Sequence, residues 1–214
     1  MTEETLAPNH HADHPGFSGL SGLVAALAFT RGRDGDAALA VRLARLTAGD
    51  RLVDVGSGPG VAARRAASLG AEVVAVDPAA VMLRVGRVLN RAKGLRYGLG
   101  TAHELPVADG WASVVWSLAT VHHWPDIDAA LGEVGRVLAP GGRFVAIERH
   151  VADGLASHGR TRPQADAFAA RCEAFGFSAK VAEHLDGNRG AALSVLALAA
   201  SDAGHPRPKG DANV

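Results

Sequence analysis

One cysteine, Cys172, is all the thiol chemistry this chain has. It cannot form an internal disulfide, and its place in a helix-like run from Gln164 to Phe175 predicts a small, buried, apolar role. Neither charge is in excess, since 22 Lys and Arg stand against 22 Asp and Glu. The chain therefore lacks the overall positive field that holds a phosphate backbone, which argues against a nucleic-acid partner and for a small molecule. Arg84, Arg87 and Arg91 share helical spacing, but they read as the solvated face of a helix. Long hydrophobic runs are missing too. Leu20–Phe29 and Ala191–Ala200 fall well short of the roughly 20 apolar residues that cross a bilayer. The opening Thr2, Glu3 and Glu4 is not the basic and then apolar start of a secretory signal, so a soluble cytoplasmic protein is expected.

No internal linker interrupts the sequence, and 214 residues suit a single α/β domain with a core of its own. Residues 1–19 show no periodicity and are expected to form a loose arm. Its His10, His11 and His14 lack a nearby cysteine or a fixed scaffold, so no metal site is expected. Leu20–Phe29 and Asp36–Leu46 read as two short helices, with Leu39, Leu43 and Leu46 on one apolar face, that close over the ligand edge of the domain. The domain itself is expected over 20–200, followed by a disordered polar tail from Ser201 to Val214.

The most informative stretch runs from Leu52 to Gly60. Apolar, β-branched residues carrying one carboxylate, Asp54, give way to Gly56, Gly58 and Gly60 and then to an Ala/Arg-rich segment, which reads as strand, glycine turn and helix. Alternate glycines let the backbone approach a ligand closely, and the helix start offers N–H groups to it. A second strand, Ala71–Val76, ends at Asp77, about 20 residues on, the usual distance for a carboxylate that accepts ribose hydroxyls. Together they imply an adenosine-bearing ligand. A dinucleotide fingerprint would place a third small residue at position 61, which is Val61, so a nicotinamide-dependent oxidoreductase is the weaker reading.

Further strands are predicted at Leu95–Leu99, Ala112–Ser117 and Phe144–Ile147, with helices at Val61–Leu69, Ala79–Arg91 and Asp126–Leu138. The last of these carries the clearest period, through Ile127, Ala130, Leu131, Val134, Val137 and Leu138, and stops at Pro140-Gly141-Gly142. A helix over Pro163–Phe175 precedes two strands, Lys180–Leu185 and Ala191–Leu198, joined by the turn-rich segment Asp186–Gly190.

The acid-x-Gly-x-Gly-x-Gly of Asp54–Gly60 resembles the first motif of the class I S-adenosylmethionine-dependent methyltransferases. The likeness continues through Val76–Leu83, Thr101–Val107, Val114–Trp124 and Arg136–Phe144, in order. It implies a Rossmann-like, doubly wound, seven-stranded, mostly parallel sheet with an antiparallel terminal hairpin, S-adenosyl-L-methionine as cofactor, and methyl transfer to a small organic acceptor. A non-catalytic module that keeps cofactor binding is the alternative within the same family.

What the resemblance implies for individual residues is equally definite. Asp54 would help hold the amino-acid end of the cofactor, Asp77 the ribose, and Pro78 would lie against the adenine. Many relatives carry an acid where Thr101 stands, one that contacts the adenine amino group, so that contact would pass to the backbone at Ala102 and to His103. Ser117, at the end of the fourth strand, joins the cofactor contacts. Ser113 stands where relatives commonly have a structural acid. His122 and His123 follow the fourth strand, where the family opens its active site, and a neutral imidazole suits proton transfer near pH 7, so these two are the catalytic candidates. Glu148 and His150 share that edge.

Overall fold

The computed structural model describes residues 24, 26, 27, 34–152, 159–187 and 190–201. The expected arm lies outside the described residues, as does the tail beyond Ser201, and of the first short helix only Val24, Ala26 and Leu27 are described, all helical. Seven strands form one sheet: β1 (Arg51–Val55), β2 (Glu72–Asp77), β3 (Leu95–Leu99), β4 (Ala112–Leu118), β5 (Leu138–Arg149), β6 (Ser178–Gly187) and β7 (Gly190–Leu198). Their order is β3-β2-β1-β4-β5-β7-β6. β1 to β5 pair in parallel, whereas β7 runs antiparallel to both β5 and β6. The helices are α1 (Asp34–Leu43), α2 (Val61–Ser68), α3 (Ala80–Leu89), α4 (Ile127–Val137) and α5 (Arg162–Ala174).

Strand alternation sorts the core into two layers. Val53, Val55, Val74, Val76, Val115, Phe144 and Ala146 face one cluster, where α4 contributes Leu131 and Val134 and α5 contributes Phe168 and Cys172. Their neighbours Leu52, Val73, Ala75, Val114, Trp116, Val145 and Ile147 face the other, with Leu39 and Ala40 of α1 and the alanines of α2. Parallel strands covered on both faces need continuous apolar runs, and β1, β2 and β4 have them. Each fully buried Trp116, Phe144 or Leu131 contributes about 1.5–3 kcal/mol of transfer free energy. Cys172 is buried as expected, and burial pushes its thiol up to about 12.

Local chemistry sets the ends of the helices. Asp126 caps α4 by accepting from the Ala129 N–H at 2.9 Å. Thr161 caps α5 in a reciprocal box, its N–H donating to Gln164 Oε1 at 3.0 Å.

Two boundaries differ from the sequence expectation. β5 starts at Leu138, not Phe144, because the Pro140–Gly142 excursion is stitched to the end of β7. Gly141 N–H donates to Ala200 O and Ala199 N–H to Gly142 O, Gly141 takes φ +71°, and pairing with β4 jumps from Ala112↔Leu138 to Val114↔Arg143. The hairpin connection is also shorter than Asp186–Gly190, since Gly187 and Gly190 pair with each other.

Ser113 is part of a different acid arrangement. Its hydroxyl donates to Asp50 Oδ1 at 2.7 Å, and Arg143 Nη2 donates to Asp50 Oδ2 at 2.8 Å. Burial alone would raise the Asp50 carboxyl, but the bonds from Ser113, Thr47 and Arg143 outweigh it and hold the group below its ordinary value. A carboxylate from the residue before β1 thus meets Ser113 at the start of β4.

Candidate active site

The carboxyl ends of β1, β2, β4 and β5 bring most of the candidate residues to one edge of the sheet. After β1 the chain turns through Gly56 (φ +73°), Gly58 (φ +55°) and Gly60 (φ +80°), all left-handed. The turn folds onto β2, with Gly56 and Ser57 N–H donating to Val76 O at 2.9 and 3.0 Å. The three glycines serve different ends. A Cβ on Gly56 would lie 2.6 Å from Thr120 Oγ1, and one on Gly60 would lie 2.5 Å from the Tyr97 hydroxyl. Those two allow side chains of the protein itself to close on the turn. A Cβ on Gly58 would meet none of the described residues within 4 Å, and it is the neighbouring Gly56, Ser57 and Pro59 that line the cleft at this edge.

Asp77, 8% exposed, closes β2. Its Oδ2 accepts from Gly58 N–H at 2.8 Å and its Oδ1 from Ala79 N–H at 2.9 Å. These two bonds orient the carboxylate at the end of β2. Asp54 is 2% exposed. With Asp36, Gly56, Ser57, Pro59, Val61, Ala62 and Leu118 it lines a shallow cleft at this edge. Asp36 brings the start of α1 to this edge.

The turn is braced by residues that periodicity gave no reason to select. Pro59 O accepts from Asn90 Nδ2 at 2.8 Å, and the Tyr97 hydroxyl donates to Asn90 O at 3.0 Å. Burial, helped by the Asp54 charge, pushes the Tyr97 phenol up to about 12, so it remains a donor. Thr120 joins the turns after β1 and β4, its Oγ1 donating to Val55 O at 3.1 Å and lying 2.5 Å from Ser117 Oγ. Ser117 is fully buried and its hydroxyl is engaged there. Ala102 is buried and Pro78 and His103 are exposed, Pro78 after β2 and the other two after β3.

The turn after β4 carries the histidines. Ala119 sits at φ +56°, a conformation that disfavours a side chain by about 1–2 kcal/mol and that recurs at functional turns. Val121–His123 then form a single 3-10 turn. Glu148, 4% exposed at the end of β5, holds this turn: Oε1 accepts from Val121 N–H at 2.7 Å, and Oε2 lies 2.7 Å from His122 Nδ1. Burial would raise the Glu148 carboxyl, but the His122 bond, the Arg160 charge and the Val121 N–H outweigh it and keep it below the ordinary glutamate value. An ionised carboxylate makes Nδ1 the donor and fixes the tautomer of the ring. Arg160, 6% exposed, holds the carbonyl of the same residue, Nη2 donating to Val121 O at 3.4 Å, and packs over Phe168. The His123 ring lies 4.0 Å from that of His122 and is partly exposed. His150 instead lies 2.7 Å from Glu183 on β6.

These residues fit an adenosine-bearing cofactor. The glycine turn, the oriented carboxylate of Asp77 and the cleft at Asp54 lie side by side along the edge, as a nucleoside with a polar tail requires. Among the described residues no cluster of metal-ligating side chains occurs, and no helix is long and apolar enough to cross a membrane.

Residues 53–146 match the family described as methyltransferase domain. The ubiquinone/menaquinone biosynthesis C-methyltransferase UbiE of Rubrivivax gelatinosus is 37% identical over 108 residues, 50% of this chain and 43% of that protein. The demethylmenaquinone methyltransferase of Thermus thermophilus is 40% identical over 113 residues, 51% of each. The chain thus spans about half the length of the curated relatives it matches. Among solved structures, a SAM-dependent methyltransferase from Aquifex aeolicus superposes with a TM-score of 0.67 at 17% identity, over 82% of this chain and 97% of that one. Residues 53–146 are thus similar to the methyltransferase domain, and the likeness supports S-adenosylmethionine as the cofactor.

Proposed function

We propose that this protein transfers a methyl group from S-adenosylmethionine to a small organic acceptor and releases S-adenosylhomocysteine. The observation that carries the reading is the Asp77 carboxylate, aligned by Gly58 and Ala79 N–H at the carboxyl end of β2. In this reading Asp77 accepts the ribose hydroxyls and the cleft beside Asp54 takes the amino-acid end. The next strand outward, β3, is about 4.8 Å away, so the base falls against Pro78, Ala102 and His103. Relatives named for quinone biosynthesis, together with a balanced net charge, support a small acceptor over a polymer.

When bound, the cofactor supplies a methyl group already activated on a sulfonium, so the protein's part is to align, exclude water and accept a proton where the acceptor has one to lose. The two histidines divide this work. His122 is held by Glu148 and fixes the turn, whereas His123, partly exposed beside it, meets the acceptor and takes its proton. His123→Ala is expected to lower turnover by about 10²-fold with an unchanged Kd for S-adenosylhomocysteine. Equal turnover would remove His123 from the chemistry.

Calorimetry with S-adenosylmethionine, S-adenosylhomocysteine and NAD, followed by turnover with a panel of small acceptors, tests the function. Binding of the first two without turnover would favour a non-catalytic module, and binding of NAD alone would overturn the reading. Asp77→Ala is expected to weaken S-adenosylhomocysteine by about 1–3 kcal/mol, since it removes hydrogen bonds to a charged acceptor. An unchanged Kd in that variant would move the ribose elsewhere.

A further inference from the structure

The loop that follows β3 has no regular structure to hold it, yet it is one of the most heavily tethered segments of the protein. Its tether comes from α4, about 30 residues later in the chain, through two charged side chains on a helix otherwise notable for its apolar stripe. Arg136 and Glu133 form a two-pronged pair, Nε to Oε1 at 2.6 Å and Nη2 to Oε2 at 2.7 Å. Both then reach the loop. Arg136 Nη2 donates to Leu105 O at 3.0 Å and Nη1 to Val107 O at 2.8 Å and to Asp109 Oδ1 at 2.7 Å. Glu133 Oε2 accepts from Leu105 N–H at 2.8 Å. The planar guanidinium thus has its donors on three loop groups and its own partner at once, a geometry that lysine cannot copy.

The tether fixes height and register where they matter for a ligand. Leu105 follows the narrow bridge in which Thr101 and Glu104 exchange N–H···O bonds at 3.2 Å. Gly100 N–H, at the root of the same loop, donates to the Asp77 carbonyl at 3.4 Å. The segment 101–103 is therefore suspended between Asp77 on one side and the Arg136–Glu133 pair on the other. Because Thr101 offers no carboxylate, recognition of a base there rests on backbone groups, whose positions the tether helps to set.

We infer that Arg136, with Glu133, is a positioning residue for cofactor recognition: it holds the 101–107 loop at the height at which its backbone reads the adenine, without touching the cofactor. The inference rests on the assignment of the base to this loop. It separates Arg136 from a general stabilising role because only the contribution of the base to affinity depends on it.

Isothermal calorimetry with S-adenosylhomocysteine and with S-ribosylhomocysteine, which lacks the base, measures that contribution as a ratio of two Kd values. In Arg136→Ala the ratio is expected to shrink by about tenfold or more, the loss of one to two well-placed hydrogen bonds, with the Kd of S-ribosylhomocysteine unchanged. Arg136→Lys is expected to recover only part of it. Glu133→Gln, which keeps the helix and the shape of the side chain, gives a second reading should Arg136→Ala unfold, and is expected to shift the ratio in the same direction. Equal weakening of both ligands, or no change in either, overturns the inference while leaving the cofactor site standing. Failure of the unaltered protein to bind S-adenosylhomocysteine overturns both.

Discussion

Gly56→Ala is expected to destabilise the protein by about 3 kcal/mol and to abolish measurable binding of S-adenosylhomocysteine. The added methyl must occupy the left-handed region, a penalty of about 1–2 kcal/mol. It must also displace Thr120, whose Oγ1, Cγ2 and Cβ would stand 2.6–2.8 Å away, an overpacking that typically costs about 1–3 kcal/mol. Thr120 has little room to yield, because its hydroxyl is bonded to Val55 O and Ser117. The turns after β1 and β4 would separate, and with them the two halves of the site. Gly58→Ala is the control, since it bears the backbone penalty of φ +55° without any collision. It is expected to cost only about 1–2 kcal/mol of stability and still to weaken S-adenosylhomocysteine binding, because its methyl enters the space assigned to the ligand. Thermal melts and calorimetry on the two variants separate packing from ligand approach. A Gly58→Ala variant that binds as tightly as the parent would contradict the second assignment.

Removing the carboxylate at the end of β5 is the other large effect. Glu148→Ala is expected to cost about 3–5 kcal/mol, the range for breaking a buried charge pair from one side. It would leave Arg160, 6% exposed, without its compensating charge, and the Val121 N–H without an acceptor. The pair is coupled, so replacing Arg160 by Met in the same chain is expected to recover part of the loss. The pH dependence has a defined sign. The folded-state pKa of Glu148 is depressed, so its contribution is fully present above the ordinary glutamate value and disappears as pH falls through the folded value. Melts over about pH 3 to 7 are expected to show an acid loss of stability that is smaller in Glu148→Gln. A parent and variant with parallel acid profiles would show that this carboxylate is not held below its ordinary range.

Much of this site was legible in the chain because its key residues answer to local rules. Alternate glycines after an apolar run favour a left-handed turn, Asp77 ends a strand at the spacing expected of a ribose-binding carboxylate, and the 3.6-residue period over 127–137 marks a helix. The sheet order followed from resemblance. What could not be read depends on contacts across long sequence separations. Nothing local says that Gly56 and Gly60 accommodate Thr120 and Tyr97 while a Cβ on Gly58 would meet none of the described residues. His122 and His123 are chemically equal in sequence and become different only because Glu148, 26 residues on, binds one of them. The anchoring of Asp50 beside Ser113 depends on Arg143 arriving from β5. Arg136 carried one signal, a charged pair at i, i+3 on the turn that ends an apolar helix, but only the folded loop shows what the pair holds.

A structure of the protein crystallised with S-adenosylhomocysteine tests the central claim most directly. The ribose hydroxyls should lie within hydrogen-bond distance of Asp77, with the amino-acid end in the cleft beside Asp54 and Gly56 and the base against Ala102. A ligand lodged anywhere other than across the carboxyl ends of β1 and β2, or held there by some group other than Asp77, would contradict the account.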